Sequence, residues 1–105
     1  MTPDEKDWKL FKSKISLWQK NYINKLNKEY AAILCGDESP SEKFWKLENK
    51  INADKKSRGI QIHLRRSTML EDIISLLNDE VITYDDLIDF SGDMKEKIKF
   101  VFTDR

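Results

Sequence analysis

Cysteine and histidine each occur once in this 105-residue chain, glycine three times and proline twice. A lone cysteine forms no internal disulfide, and one cysteine with one histidine is too small a ligand set for zinc within one chain. Scarce glycine leaves no phosphate-cradling loop, no GxSxG elbow and no dinucleotide fingerprint. No apolar run approaches the roughly 20 residues that cross a bilayer. Excess charge of one sign is also missing. Lys+Arg and Asp+Glu both number 19, so no overall field draws the molecule to nucleic acid or to an anionic membrane. Met1 to Trp8 is polar and acidic, where an export signal would be basic and then apolar. These absences point to a cytoplasmic protein that is not an enzyme and uses no cofactor, metal or small-molecule substrate.

What is present is helical patterning. Thr2-Pro3-Asp4-Glu5 has the form of a capping box with proline at the first helical position. Trp8, Phe11, Ile15, Trp18, Tyr22, Leu26, Tyr30 and Ile33 follow at spacings of three or four, up to Gly36. A helix over 3–35 would be about 50 Å long, against a radius of gyration of about 13 Å for a compact domain of this size. Such a helix bends or projects. Leu10 and Leu17 lie opposite the main stripe, so its first half shows apolar surface on two faces. The chain's own C-terminal helix is one expected cover for the second face; a second copy or another protein is the other.

Ser39-Pro40-Ser41-Glu42 repeats the start signal, and Phe44, Leu47, Glu48 and Ile51 continue it as far as Ser57-Arg58-Gly59. The aromatic pair Phe44-Trp45 reads as core. Ile60, Ile62 and Leu64 alternate with polar residues, yet no second strand exists to pair with them, so a helical turn or an extended linker is expected. A third capping box at Thr68-x-x-Glu71 opens the most apolar segment, with Met69, Leu70, Ile73, Ile74, Leu76 and Leu77. Thr83-x-x-Asp86 begins a short helix. Ser91 caps a last one carrying Met94, Ile98, Val101 and Phe102, with Phe100 off the stripe. The expected fold is therefore all-α: one domain over 1–105, a small bundle of four to six helices with a long N-terminal helix.

Two surfaces stand out as candidates. The first is a protein interface on the overhanging helix, at Trp8, Leu10, Phe11 and Leu17, used for a protein partner or for a homodimer. The second is a basic cluster of Lys55, Lys56, Arg58, His63, Arg65 and Arg66, suited to phosphates and hence to nucleic acid. The charges are segregated: residues 1–58 hold 13 basic and 9 acidic side chains, residues 59–105 hold 6 and 10. The basic cluster therefore also has a plainer use, in pairing with helix ends and carboxylates of its own chain. Asp85-Asp86-x-x-Asp89 lacks the glycine-turn loop of a calcium site. Cys35, among Ala31, Ala32, Ile33 and Leu34, reads as a small core hydrophobe rather than a nucleophile paired with His63.

The blocks SEKFWKLENKINADKKSRG and MLEDIISLLNDEVITYDDLIDFSGDMKEKI resemble a family of small uncharacterised helical bacterial proteins, often encoded near mobile elements and sometimes mislabelled as multidrug transporters. The resemblance runs over about residues 8–100. It rests on Phe44-Trp45-x-Leu47-Glu48, Asp54-Lys55-Lys56, Gly59, Ile82-Thr83-x-x-Asp86-Leu87 and Phe90-Ser91. It implies a helical fold in a bacterial cytoplasm and assigns no catalytic residue.

Overall fold

The computed structural model describes residues 3–103, and among these no strand occurs. Four helices are formed: α1 (Glu5–Leu34), α2 (Pro40–Asp54), α3 (Met69–Asn78) and α4 (Gly92–Thr103), with single 3-10 turns at Arg66–Thr68 and Tyr84–Leu87. The molecule is a helical bundle with a projection. The 30 residues of α1 run uninterrupted for about 45 Å. The chain measures 52 × 27 × 22 Å, with a radius of gyration of 16.4 Å.

Only part of α1 has a core to cover it. Phe11, Ile15 and Trp18 are buried against Met69, Ile73, Ile74, Leu76 and Leu77 of α3, Ile82, Leu87 and Phe90 of the connection, and Met94 and Ile98 of α4. Beyond Tyr22 and Leu26, the distal half of α1 has only α2 beside it, and none of the residues of α2 is buried. The fold is thus a compact body and a two-helix arm that share one long helix.

Polar groups fasten the body at the start of α1. The Asp4 carboxylate accepts from the Asp7 backbone N–H at 2.8 Å, so the cap is Asp4; the expected cap, Thr2, lies outside the described residues. Asp7 is buried and joins the two ends of the chain. It accepts from the Ser91 N–H at 2.9 Å and from the Ser91 hydroxyl at 2.6 Å, while that same hydroxyl accepts from Met94 N–H at the start of α4. Arg66 donates to the Pro3 carbonyl at 3.0 and 2.8 Å and to the Glu5 carboxylate at 2.7 Å.

Several boundaries differ from the sequence reading. α2 ends at Asp54, short of Ser57-Arg58-Gly59. Gly59 is buried where an added Cβ would lie 2.5 Å from the Tyr22 ring and 2.7 Å from Val81, so the chain passes here only because the residue has no side chain. The Thr68 side chain makes no cap; its hydroxyl lies 3.2 Å from the Asp72 carboxylate. Residues 61–65 have no regular secondary structure, with Arg65 in an extended conformation, and Thr83 with Asp86 forms the expected reciprocal box. α3 stops at Asn78 in a Schellman arrangement: Val81 N–H donates to Leu76 O at 2.9 Å and Glu80 N–H to Leu77 O at 3.1 Å, with Glu80 at φ 59°.

Two stability predictions follow from these contacts. Glu80→Gly removes a left-handed backbone cost of about 1–2 kcal/mol, partly offset by glycine's unfolded-state entropy, and should raise stability by about 0.5–1 kcal/mol in urea titration. Asp7→Ala strands the Ser91 N–H and should lower stability by about 1–3 kcal/mol in the same measurement.

Candidate interaction surface

The first candidate surface is largely part of the body. Phe11 is fully buried, which corrects its assignment to an interface: it packs under α3 and α4. Trp8 and Leu10 are half-buried against the same core, Trp8 stacking on Phe11 at 6.2 Å with the Lys12 ammonium 5.2 Å from its ring. Of the four residues only Leu17, 58% exposed, faces solvent. A single exposed leucine is ordinary surface.

Further apolar side chains are exposed on the body, with Ile88 and Phe100 at 70% and 71%, and on the arm, where an aromatic pair expected in the core lies in solvent. Phe44 and Trp45 are 60% and 55% exposed and meet edge to face at 5.0 Å; they cover nothing. Leu34 and Ile23 are 51% and 38% exposed, and Cys35 is an exposed thiol rather than a core residue. Phe100 is exposed as well, on α4.

Helix geometry shows how these positions are arranged. On α2 the half-buried residues Lys43, Leu47, Lys50, Ile51 and Asp54 face α1. The Lys50 ammonium bridges Glu29 at 2.8 Å and Asp54 at 3.2 Å, and the Tyr30 hydroxyl donates to Asp54 at 2.7 Å. Burial and this Asp54 hydrogen bond push the Tyr30 phenol up to about 12. On the flank of this contact two stripes run alongside each other, Ile23-Asn27-Tyr30-Leu34 on α1 and Phe44-Glu48-Ile51-Lys55 on α2. Both have the 4-3-4 spacing of a helix-packing seam. Each is centred about 90° from the α1–α2 contact line in the same sense, with Tyr30 and Ile51 bordering that contact, which in an antiparallel pair puts both on one side. Spacing alone had already grouped Phe44, Glu48 and Ile51 on α2, whereas on α1 it picked out the main stripe and not Ile23, Asn27 and Leu34.

The basic cluster is partly gathered and partly divided: Arg58, His63 and Arg65 line one cavity of about 230 Å³ with Ile62 and Asp72, whereas Arg66 is turned to the start of α1. The Arg58 Nε lies 2.8 Å from the buried Asp72 carboxylate, and Arg66 holds Pro3 and Glu5. Lys55, Lys56, His63 and Arg65 are exposed, with a shallow cavity of about 260 Å³ on the far side of Lys56 and one of about 420 Å³ along Lys56, Gln61, Ile62 and His63. A further cleft of about 450 Å³ lies between α3 and α4 and is lined by Arg58, Leu70, Glu71, Ile74 and Val101. No helix among the described residues is long and apolar enough to cross a membrane.

Compared with family models, curated proteins and solved structures, the chain gave no match.

Burial pushes the Asp72 carboxyl above its ordinary value, opposed by Thr68 and Arg58. The stability linked to this group is therefore full below the ordinary aspartate pKa of about 3.9 and is lost as pH rises through the raised value. Arg58→Gln removes an opposing charge, so its destabilisation should be small near pH 3.5 and grow to about 1–3 kcal/mol near pH 7. Adding Asp72→Asn should flatten that pH dependence in urea titrations.

Proposed function

We propose that this chain is a cytoplasmic docking module that binds protein through the seam-bearing side of its α1–α2 arm. The observation that carries this reading is α2 itself, a 15-residue helix without a buried residue that holds an aromatic pair in solvent. Short helices in water gain most of their stability from a packed apolar face, and α2 has only a half-buried one. Exposed aromatics of this kind are the side chains that anchor protein interfaces. The exposed Cys35 thiol suits a reducing compartment. Nucleic-acid binding is the weaker alternative, because Arg58 and Arg66 of the basic cluster are already engaged by Asp72, Pro3 and Glu5.

A photo-reactive amino acid placed at residue 44, in cells expressing the chain, tests this. The expected product is a protease-sensitive adduct that is absent when the same group replaces Lys28 on the far side of α1. A nuclease-sensitive adduct, equal yields at both positions, or no adduct at residue 44 would overturn it.

A further inference from the structure

The segment that joins α2 to α3 carries a second surface, apart from the arm. Residues 61–65 have no regular secondary structure, yet the segment is fastened. At its near end the Gly59 N–H donates to the Ser57 hydroxyl at 3.0 Å, the Ile60 N–H to the Ser57 carbonyl at 3.0 Å, and the Gln61 side-chain amide to the Lys55 carbonyl at 2.6 Å. Ile62 packs on the core, and Arg66 closes the far end against Pro3 and Glu5. The fold therefore sets where the side chains between these ties stand.

Three of those side chains are donors suited to an anion. Arg58, His63 and Arg65 line one cavity of about 230 Å³, with Ile62, Thr68 and Asp72. The one carboxylate of this lining, Asp72, is buried and already engaged, by Arg58 Nε at 2.8 Å and by the Thr68 hydroxyl at 3.2 Å. Its neighbour Glu71 lines the cleft between α3 and α4 instead. Beyond its bond to Asp72, Arg58 keeps 44% of its side chain exposed, and His63 and Arg65 have no ion-pair partner among the described residues. The accessible charge of the cavity is thus positive. Two guanidinium groups around one concavity repel each other, and a bound anion reverses that cost.

Size and surroundings narrow the choice of anion. The cavity is smaller than the roughly 300–1,000 Å³ that encloses a drug-sized ligand, yet it has the space of several waters, enough for one phosphate group. Phosphate oxygens suit the planar donor forks of arginine. Gln61, Ile62 and His63 also border a further cavity of about 420 Å³ that continues to Lys56, which leaves room over Ile62 for an organic group joined to the phosphate. Nucleic acid would need several phosphate contacts in a row, and Arg66, the remaining arginine of the cluster, is turned to the start of α1.

The geometry points to a binding site for a small phosphate monoester, with Arg58 and Arg65 donating to the free phosphate oxygens, His63 beside them, and the organic part lying over Ile62 toward Lys56. No residue of the α1–α2 seams takes part, so the site stands or falls independently of the docking reading.

Nuclear magnetic resonance titrations of the full chain test this, at one pH and with sodium chloride holding the ionic strength constant. The probes are inorganic phosphate, glycerol phosphate and a single-stranded oligonucleotide without terminal phosphates. Both phosphate compounds should give saturable shifts of the amides of residues 58–68, with glycerol phosphate binding the tighter and adding shifts at Lys56. Arg65→Gln and His63→Gln, both at exposed positions, should each weaken binding roughly tenfold, the loss of one charge-assisted hydrogen bond. Lys28→Gln removes one positive charge from the far side of α1 and should leave binding unchanged. Shifts that do not saturate, or an equal loss in the Lys28 variant, would reduce the effect to general screening and overturn the site. Free phosphate that binds at least as tightly as glycerol phosphate overturns the monoester assignment. An oligonucleotide that shifts the same amides at a lower concentration than either compound overturns it in favour of nucleic acid.

Discussion

One helix outruns the core that holds it. A domain of this size buries side chains over a few turns of any one helix, and here α3, α4 and their connection cover α1 from Phe11 to Trp18. The remaining turns are kept helical by Lys25, Leu26, Lys28, Glu29, Ala31 and Ala32, despite Asn24 and Asn27, and by α2 folding back on them. Two later features depend on this mismatch: the elongated shape and the uncovered α2. A shorter first helix would have made a closed globule with no arm.

How far the fold could be read from the sequence depends on which physical signal was used. The long helix, the buried third segment and the Thr83–Asp86 box were legible, because periodicity and capping are local. Periodicity shows which residues share a face, but it cannot show whether anything lies against that face. Phe44 and Trp45 were read as core for this reason and stand in solvent; Phe11 was read as surface and is buried. The end of α3 was illegible for another reason. Its left-handed residue is Glu80, where glycine would have marked the stop. Asp7 gave no signal as a long-range partner, since its acceptor role toward Ser91 depends on tertiary placement alone.

Charge is used in the structure in two distinct ways. In the body it joins distant segments: Arg66 clasps the start of α1, and Arg58 reaches into the buried Asp72. On the arm it stays at the surface, where Lys50 straddles Glu29 and Asp54 above the Tyr30 ring. A run of positive residues in the sequence was thus used in two ways: Arg58 and Arg66 tie distant segments together, while Lys56, His63 and Arg65 face water around the cavities beside Ile62.

The bond between Asp7 and Ser91 spans 84 positions of chain. During synthesis from the N-terminus, the first turn of α1 must therefore wait for nearly the whole polypeptide to leave the ribosome before its carboxylate meets its partner. The arm, made of residues close together in sequence, can assemble long before that. On the nascent chain, the part of the molecule with its apolar stripes uncovered is complete while the body is still open.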